Sequence, residues 1–177
     1  VNSHPHTSGE SRFFIVHNGV IDNYKELKSE LLNGNEFRSD TDTEVIAHLI
    51  DKFSRDMKVD EAIRKTMSLL EGSYALAIID TLDSSKLYAC KNKSPLLLGI
   101  GDKGLIIASD LMALVGYSKE YIPLKDKTFI EISGLEYKLL DIIGKEVKHE
   151  IKVIDVDYSS IEKGEYSHFM LKEICEQ

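Results

Sequence analysis

The chain opens on a polar stretch, residues 1–11, and its first apolar run is Phe13-Phe14-Ile15-Val16. His17-Asn18-Gly19 interrupts that run of β-formers, and after Val20-Ile21 the period changes. The pattern predicts a strand from Arg12 to Val16 and a turn at His17-Asn18-Gly19, where Gly19 is free to take a positive φ. A helix capped by Asp22 or Asn23 then runs to about Leu32, with Tyr24, Leu27 and Leu31 on one face, and Asn33-Gly34-Asn35 stops it. A second helix opens at Asp40-Thr41-Asp42-Thr43-Glu44, where Thr41 and Glu44, and Ser39 and Asp42, have capping-box spacing. Its stripe is Val45, Ile46, Leu49, Ile50 and Phe53. A third helix covers Val59 to Leu70 through Ala62, Ile63, Met67 and Leu70.

From Ser73 the period falls to two. Tyr74 to Ile79 is apolar almost throughout, which predicts a strand buried on both faces. Lys86 to Lys91 returns beside it after a hairpin loop. Leu96 to Ile100 and Leu105 to Ala108 are joined by Gly101-Asp102-Lys103-Gly104, and Ser109-Asp110 caps a short helix over Leu111 to Val115. Thr128 to Ile132, Glu136 to Leu140 and Glu146 to Ile151 alternate as a more exposed meander, turned at Gly134 and Gly144. Ser159 to Gly164 is polar, and Glu165 to Gln177 reads as a last helical segment. Helices grouped early and antiparallel strands grouped later predict an α+β fold, two stacked sheets with helices outside.

Composition narrows the function classes. Of 177 residues, 42% are hydrophobic, enough for the core of one ordinary domain. A net charge of -8 and a pI of about 5.3 argue against non-specific nucleic-acid binding, which needs a basic footprint. No apolar run approaches the ~18 residues of a membrane span. Cys90 and Cys175 are far apart and lack metal spacing, so they read as reduced thiols of a cytoplasmic protein. Neither has the electropositive, exposed setting of a nucleophile. His4-Pro5-His6 offers two ligands where a zinc site needs three or four, so no metal is expected. Gly99-Ile100-Gly101-Asp102-Lys103-Gly104 has the letters of a dinucleotide loop but no long helix after it, and reads as a hairpin; no cofactor is expected. The start, Val1-Asn2-Ser3-His4, is neither a signal peptide nor an initiator methionine, and suggests an excised or truncated domain.

Two places carry candidate chemistry. Asn18 and Gly19 serve either as a tight turn or as an oxyanion hole, in which a side-chain amide and a backbone N–H stabilise charge developing on a carbonyl oxygen. Asp40 and Asp42 serve either as helix caps or, one of them, as the partner of a substrate ammonium. The cap does not require two aspartates.

These pieces together resemble the glutaminase domain of the glutamine–fructose-6-phosphate aminotransferase (isomerizing) family. The matching residues are Asn2-Ser3-His4-Pro5-His6, Val16-His17-Asn18-Gly19-Val20-Ile21-Asp22-Asn23 and Ser39-Asp40-Thr41-Asp42-Thr43-Glu44-Val45-Ile46-Ala47-His48. Downstream they are Gly72-Ser73-Tyr74-Ala75, Ser94-Pro95-Leu96, Ala108-Ser109-Asp110 and His168-Phe169-Met170-Leu171-Lys172-Glu173-Ile174-Cys175-Glu176-Gln177. The resemblance implies an N-terminal-nucleophile fold, a four-layer αββα sandwich. It implies a mechanism in which an N-terminal cysteine attacks the side-chain amide of glutamine with its own α-amine as base, and the ammonia passes to fructose 6-phosphate at a sugar-isomerase domain. Asn18 and Gly19 would then be the oxyanion hole, Asp42 the partner of the glutamine α-ammonium, and His4 a residue at the pocket edge. Residues 1–164 would be the glutaminase domain and 165–177 the start of the connection to the isomerase domain. The full-length enzyme would be a cytoplasmic homo-oligomer of hexosamine biosynthesis.

The resemblance also places the nucleophile, an Arg-Trp-Ala-Thr-His-Gly stretch and the first strands of the sheet before Val1. The chain as given is therefore expected to be inactive alone, with a gap or an exposed apolar face where those strands would lie. The alternatives are a glutaminase domain of the phosphoribosylpyrophosphate amidotransferase type, and a non-catalytic fragment that only binds glutamine.

Overall fold

The computed structural model describes residues 2–155. Among the described residues, ten strands, three α-helices and one short 3-10 helix (Leu111–Leu114) follow one another along the chain. A short β1 (His6–Thr7) precedes the long β2 (Phe13–Ile21). Three helices come next: α1 (Tyr24–Leu31), α2 (Asp42–Phe53) and α3 (Val59–Leu69). The remaining strands are β3 (Gly72–Asp80), β4 (Lys86–Asn92), β5 (Leu97–Gly101), β6 (Gly104–Ala108), β7 (Glu120–Pro123), β8 (Thr128–Ser133), β9 (Glu136–Asp141) and β10 (Lys152–Val153). They form a six-stranded sheet in the order β1-β2-β3-β4-β8-β9 and a four-stranded sheet in the order β10-β7-β5-β6, with every pairing antiparallel.

Alternation along the strands divides the core in two. Phe13, Ile15, Leu76, Ile78, Tyr88 and Phe129 face the helices and meet Ile46, Leu49, Ile50, Ile63 and Met67. Ala75, Ala89, Ile130 and Ile132 face the other way, toward Leu98, Ile122 and Leu124 of the second sheet. Three layers of the expected sandwich (helices, sheet, sheet) are thus described. Helix α2 is buried at every position from Thr43 to Ile50. A helix enclosed on all sides must satisfy its polar residues internally, and Glu44 and His48 are two of them.

The α+β class and all three long helices agree with the sequence reading. Several local expectations do not. His17-Asn18-Gly19 is no turn: β2 runs straight through it and stays in register with β3, His17 opposite Leu76, Asn18 opposite Ala75 and Gly19 opposite Tyr74. Thr128–Ser133 is not exposed but lies inside the large sheet between β4 and β9, with most of its residues buried. Glu146 to Ile151 forms only a single bridge, Glu146 to Leu140, and the next strand is the two-residue β10. Strands β1 and β7 had no periodic signal, being two and four residues long. The segments from Ser159 onward lie outside the described residues.

The expected uncovered apolar face is present. Toward the second sheet, β2 and β3 present Val16 (50% exposed), Val20 (61%) and Ile79 (43%), so β3 is not buried on both faces along its whole length. Strand β6 is the last of its sheet among the described residues and pairs only with β5. Between β6 and this face lies a cavity of about 320 Å³ lined by Val16, Asn18, Ala75, Leu96, Ile107 and Ala113.

Candidate active site

The site begins where β2 approaches β3 too closely for a side chain. Gly19 has φ +135°, and a Cβ built on it would lie 2.0 Å from the carbonyl oxygen of Ser73. Glycine is required here so that the strand continues through a conformation closed to other residues. On either side of β2 the neighbouring side chains diverge. Asn18 is exposed and projects into the cavity toward the second sheet. His17 is buried and points at α2, where its Nδ1 lies 2.9 Å from Thr43 Oγ1.

The start of α2 is brought to the same place. Asp42 occupies its first turn, and its Oδ2 accepts the backbone N–H of Ile21, three residues beyond Asn18, at 2.8 Å. Oδ1 accepts the Thr43 hydroxyl at 3.4 Å and lies 3.7 Å from His17 Nδ1. Asp42 keeps 19% of its side chain exposed, so one edge of the carboxylate is open to a ligand. Asp40 is exposed and makes no such contact, which separates the two aspartates that the sequence left equivalent. His4 is exposed beside His6, ring centroids 5.1 Å apart at 89°, and His6 reaches Thr41 Oγ1 at 3.4 Å. Asp42 is thus anchored on β2 two residues beyond Gly19, on the helix side of the sheet, whereas the Asn18 side chain projects from the opposite face, and His4 lies beside His6 near the start of α2.

The loop before α2 is held by a group the sequence reading assigned to a different task. Neither capping box forms: Thr41 makes no side-chain cap bond. Glu44 instead reaches back and accepts the N–H of Arg38 at 2.8 Å, the N–H of Ser39 at 2.6 Å and the Ser39 hydroxyl at 2.6 Å. Burial opposes its charge, but these donors, with His48 beside them, outweigh it and hold the carboxyl below its ordinary value. His48 accepts the Asn35 amide on Nδ1 at 3.0 Å, which puts its proton on Nε2, 3.6 Å from Glu44 Oε1. Burial lowers the pKa of His6, His17 and His48 alike, so all three are neutral at physiological pH. For His6, the neighbouring His4 adds to the effect. Asp42 opposes it at His17, and Glu44 at His48.

Among the described residues no group of three or more His, Cys, Asp or Glu is placed to hold a metal ion. No helix there is long and apolar enough to cross a membrane. Cys90 is fully buried in mid-strand and burial pushes its thiol up, which removes it as a nucleophile.

An Asn-Gly pair held in-strand beside an anchored aspartate sits within a described family. Residues 2–116 match the glutamine amidotransferase domain, and the chain belongs to that family. Its fold is that of the N-terminal-nucleophile amidotransferases. It superposes with a TM-score of 0.65 on the glutamine phosphoribosylpyrophosphate amidotransferase of B. subtilis, solved with ADP and GMP, at 27% identity over 73% of this chain and 29% of that one. In sequence the similarity is greater to another branch. The chain is 48% identical over 178 residues to the glutamine–fructose-6-phosphate aminotransferase [isomerizing] of Geobacillus kaustophilus, covering 100% of this chain and 30% of that protein. The enzyme of the same name from Listeria innocua is also 48% identical, over 99% of this chain and 29% of its own length. The chain thus spans about 30% of the length of the curated relatives it matches.

Proposed function

We propose that these residues form the glutaminase part of an amidotransferase that hydrolyses glutamine and passes the ammonia to fructose 6-phosphate, giving glucosamine 6-phosphate. The observation that supports the reading is the anchoring of Asp42 on β2, where its Oδ2 accepts the Ile21 N–H at 2.8 Å, two residues beyond Gly19. A nucleophilic thiolate attacks the side-chain amide carbon of glutamine. The carbonyl oxygen takes up negative charge and is met by the Asn18 amide and the Gly19 N–H. Ammonia leaves with a proton from the general base, and water hydrolyses the γ-glutamyl thioester to glutamate. Asp42 receives the α-ammonium, and His4 closes the pocket edge. The thiol is the N-terminal cysteine of the family, supplied by chain outside residues 1–177, and the apolar face at Val16, Val20 and Ile79 is where that segment packs. Residues 1–164 are the glutaminase unit and 165–177 lead toward the sugar-isomerase part of a cytoplasmic homo-oligomer in hexosamine biosynthesis. The 48% identity to aminotransferases, against 27% to the phosphoribosylpyrophosphate enzyme, favours fructose 6-phosphate as the acceptor.

Residues 1–177 alone are expected to release no ammonia from glutamine above background; turnover would overturn the assignment of the nucleophile. In a polypeptide that also carries the cysteine, Asn18→Ala is expected to lower kcat for glutamine hydrolysis about 100-fold, a loss of ~2.7 kcal/mol of transition-state stabilisation. Asp42→Asn is expected to raise KM about tenfold or more, through loss of a charge-assisted contact. A kcat within twofold of the parent for Asn18→Ala would remove the oxyanion-hole reading.

A further inference from the structure

The hydrogen-bond partners of Asp42 define the protonation of a residue that touches no substrate. The Thr43 hydroxyl donates to Asp42 Oδ1 at 3.4 Å. A hydroxyl has a single proton. Donation to the carboxylate leaves Thr43 Oγ1 to accept from His17 Nδ1, 2.9 Å away, whereas donation to His17 would leave Asp42 Oδ1 without that hydrogen bond. A second argument agrees. Nδ1 lies 3.7 Å from Asp42 Oδ1, where a lone pair would repel the carboxylate and an N–H attracts it.

We propose that His17 is a positioning residue: as the Nδ1–H tautomer it orients the Thr43 hydroxyl, and through it the Asp42 carboxylate, to receive the α-ammonium of the amino-acid substrate. The proposal rests on the reading of Asp42 given above. It adds that selection of glutamine over an amide without an α-amine depends on a relay of three side chains from β2 to α2, of which only the last meets the ligand. Ile21 N–H fixes Oδ2, so the relay has one oxygen left to set. His48 provides an internal comparison, since its Nδ1 accepts from Asn35 and its proton is on Nε2.

Two measurements test it. Side-chain ¹⁵N NMR of residues 1–177 should show His17 with its proton on Nδ1 and His48 with its proton on Nε2; an Nε2–H tautomer at His17 would overturn the proposal with no substrate involved. In the polypeptide that carries the cysteine, Thr43→Val should raise KM for glutamine about tenfold and leave unchanged the inhibition constant of glutaramate, which has the amide and carboxylate but no α-amine. His17→Asn, whose amide can replace the Nδ1–H, should keep KM within about threefold, while His17→Phe should match Thr43→Val. Equal weakening of both ligands by Thr43→Val would show a general structural effect and overturn the positioning role. If Asp42→Asn left the glutamine KM unchanged, the reading of Asp42 would itself fail and the role of His17 with it. The tautomer result separates that failure from a failure of the relay.

Discussion

Gly19→Ala is expected to destabilise the protein by about 3–5 kcal/mol, the sum of a backbone held at positive φ and a methyl group forced into a strand partner. The methyl carbon would lie 2.0 Å from Ser73 O, with Ser73 C at 2.8 Å and Tyr74 Cα at 2.9 Å, all of them backbone atoms of β3. A flexible side chain could swing aside; the central strand of a six-stranded sheet cannot. The β2–β3 ladder runs over nine paired residues from Phe13 to Ile21, so displacing it at Gly19 disturbs pairings on both sides. Urea unfolding should show a lower midpoint with little change in slope. Gly34→Ala provides the control: φ there is +88°, but nothing lies within 4 Å of a Cβ. It should cost only about 1 kcal/mol, the conformational part alone. Equal losses at the two positions would mean that the contact with Ser73 is not what requires glycine.

The same residue shows where sequence reasoning succeeded and where it did not. Helical spacing was legible because burial enforces it: Val45, Ile46, Leu49 and Ile50 are each at most 1% exposed, and α2 spans Asp42–Phe53 as the pattern indicates. Asn-Gly was misread as a turn because local preference reports that glycine is needed but not what makes it necessary, which here is the backbone of β3. Glu44 was misread for a related reason. Spacing to Thr41 suggests a capping box, whereas the carboxylate turns back to the N–H groups of Arg38 and Ser39, the latter on the one buried residue of the loop. Thr128–Ser133 alternated like an exposed strand and was instead covered by the second sheet, since Ile130 and Ile132 pack on Leu98, Ile122 and Leu124. Asn18, Gly19 and one of Asp40 and Asp42 stand out in the sequence as candidates, and the resemblance to a family picks Asp42. The bond from Ile21 N–H to Asp42 and the contact of His17 with Thr43 leave no periodic mark in the sequence, because the partners are 21 and 26 residues apart.

Glu44→Ala is expected to cost a further large amount, about 2–4 kcal/mol, because it removes one buried carboxylate and leaves the Arg38 and Ser39 N–H groups without their acceptor. Glu44 is 3% exposed and its oxygens hold Arg38 N, Ser39 N and Ser39 Oγ. Glu44→Gln is the sharper probe. It keeps the volume, but its amide NH₂ must face either Arg38 N–H or the Ser39 pair, so one backbone donor meets another donor; a loss of about 2–3 kcal/mol is expected. The charge also links the loop to pH. The folded carboxyl is held below its ordinary value near 4.5, so its contribution is fully present above that value and is lost as the pH falls through the lower, folded value. Between pH 7 and 5 the parent and Glu44→Gln should therefore differ by a constant amount, and the gap should close only on further acidification. A gap that narrows already between pH 7 and 6 would point to His48, which is neutral beside Glu44, as the titrating group instead. Since residues 38–41 lead directly into Asp42, loosening them should also raise KM for glutamine in a catalytically competent chain. Glu44 thereby joins the stability of α2 to the geometry of the ammonium site, and a variant that lost stability with an unchanged KM would separate the two.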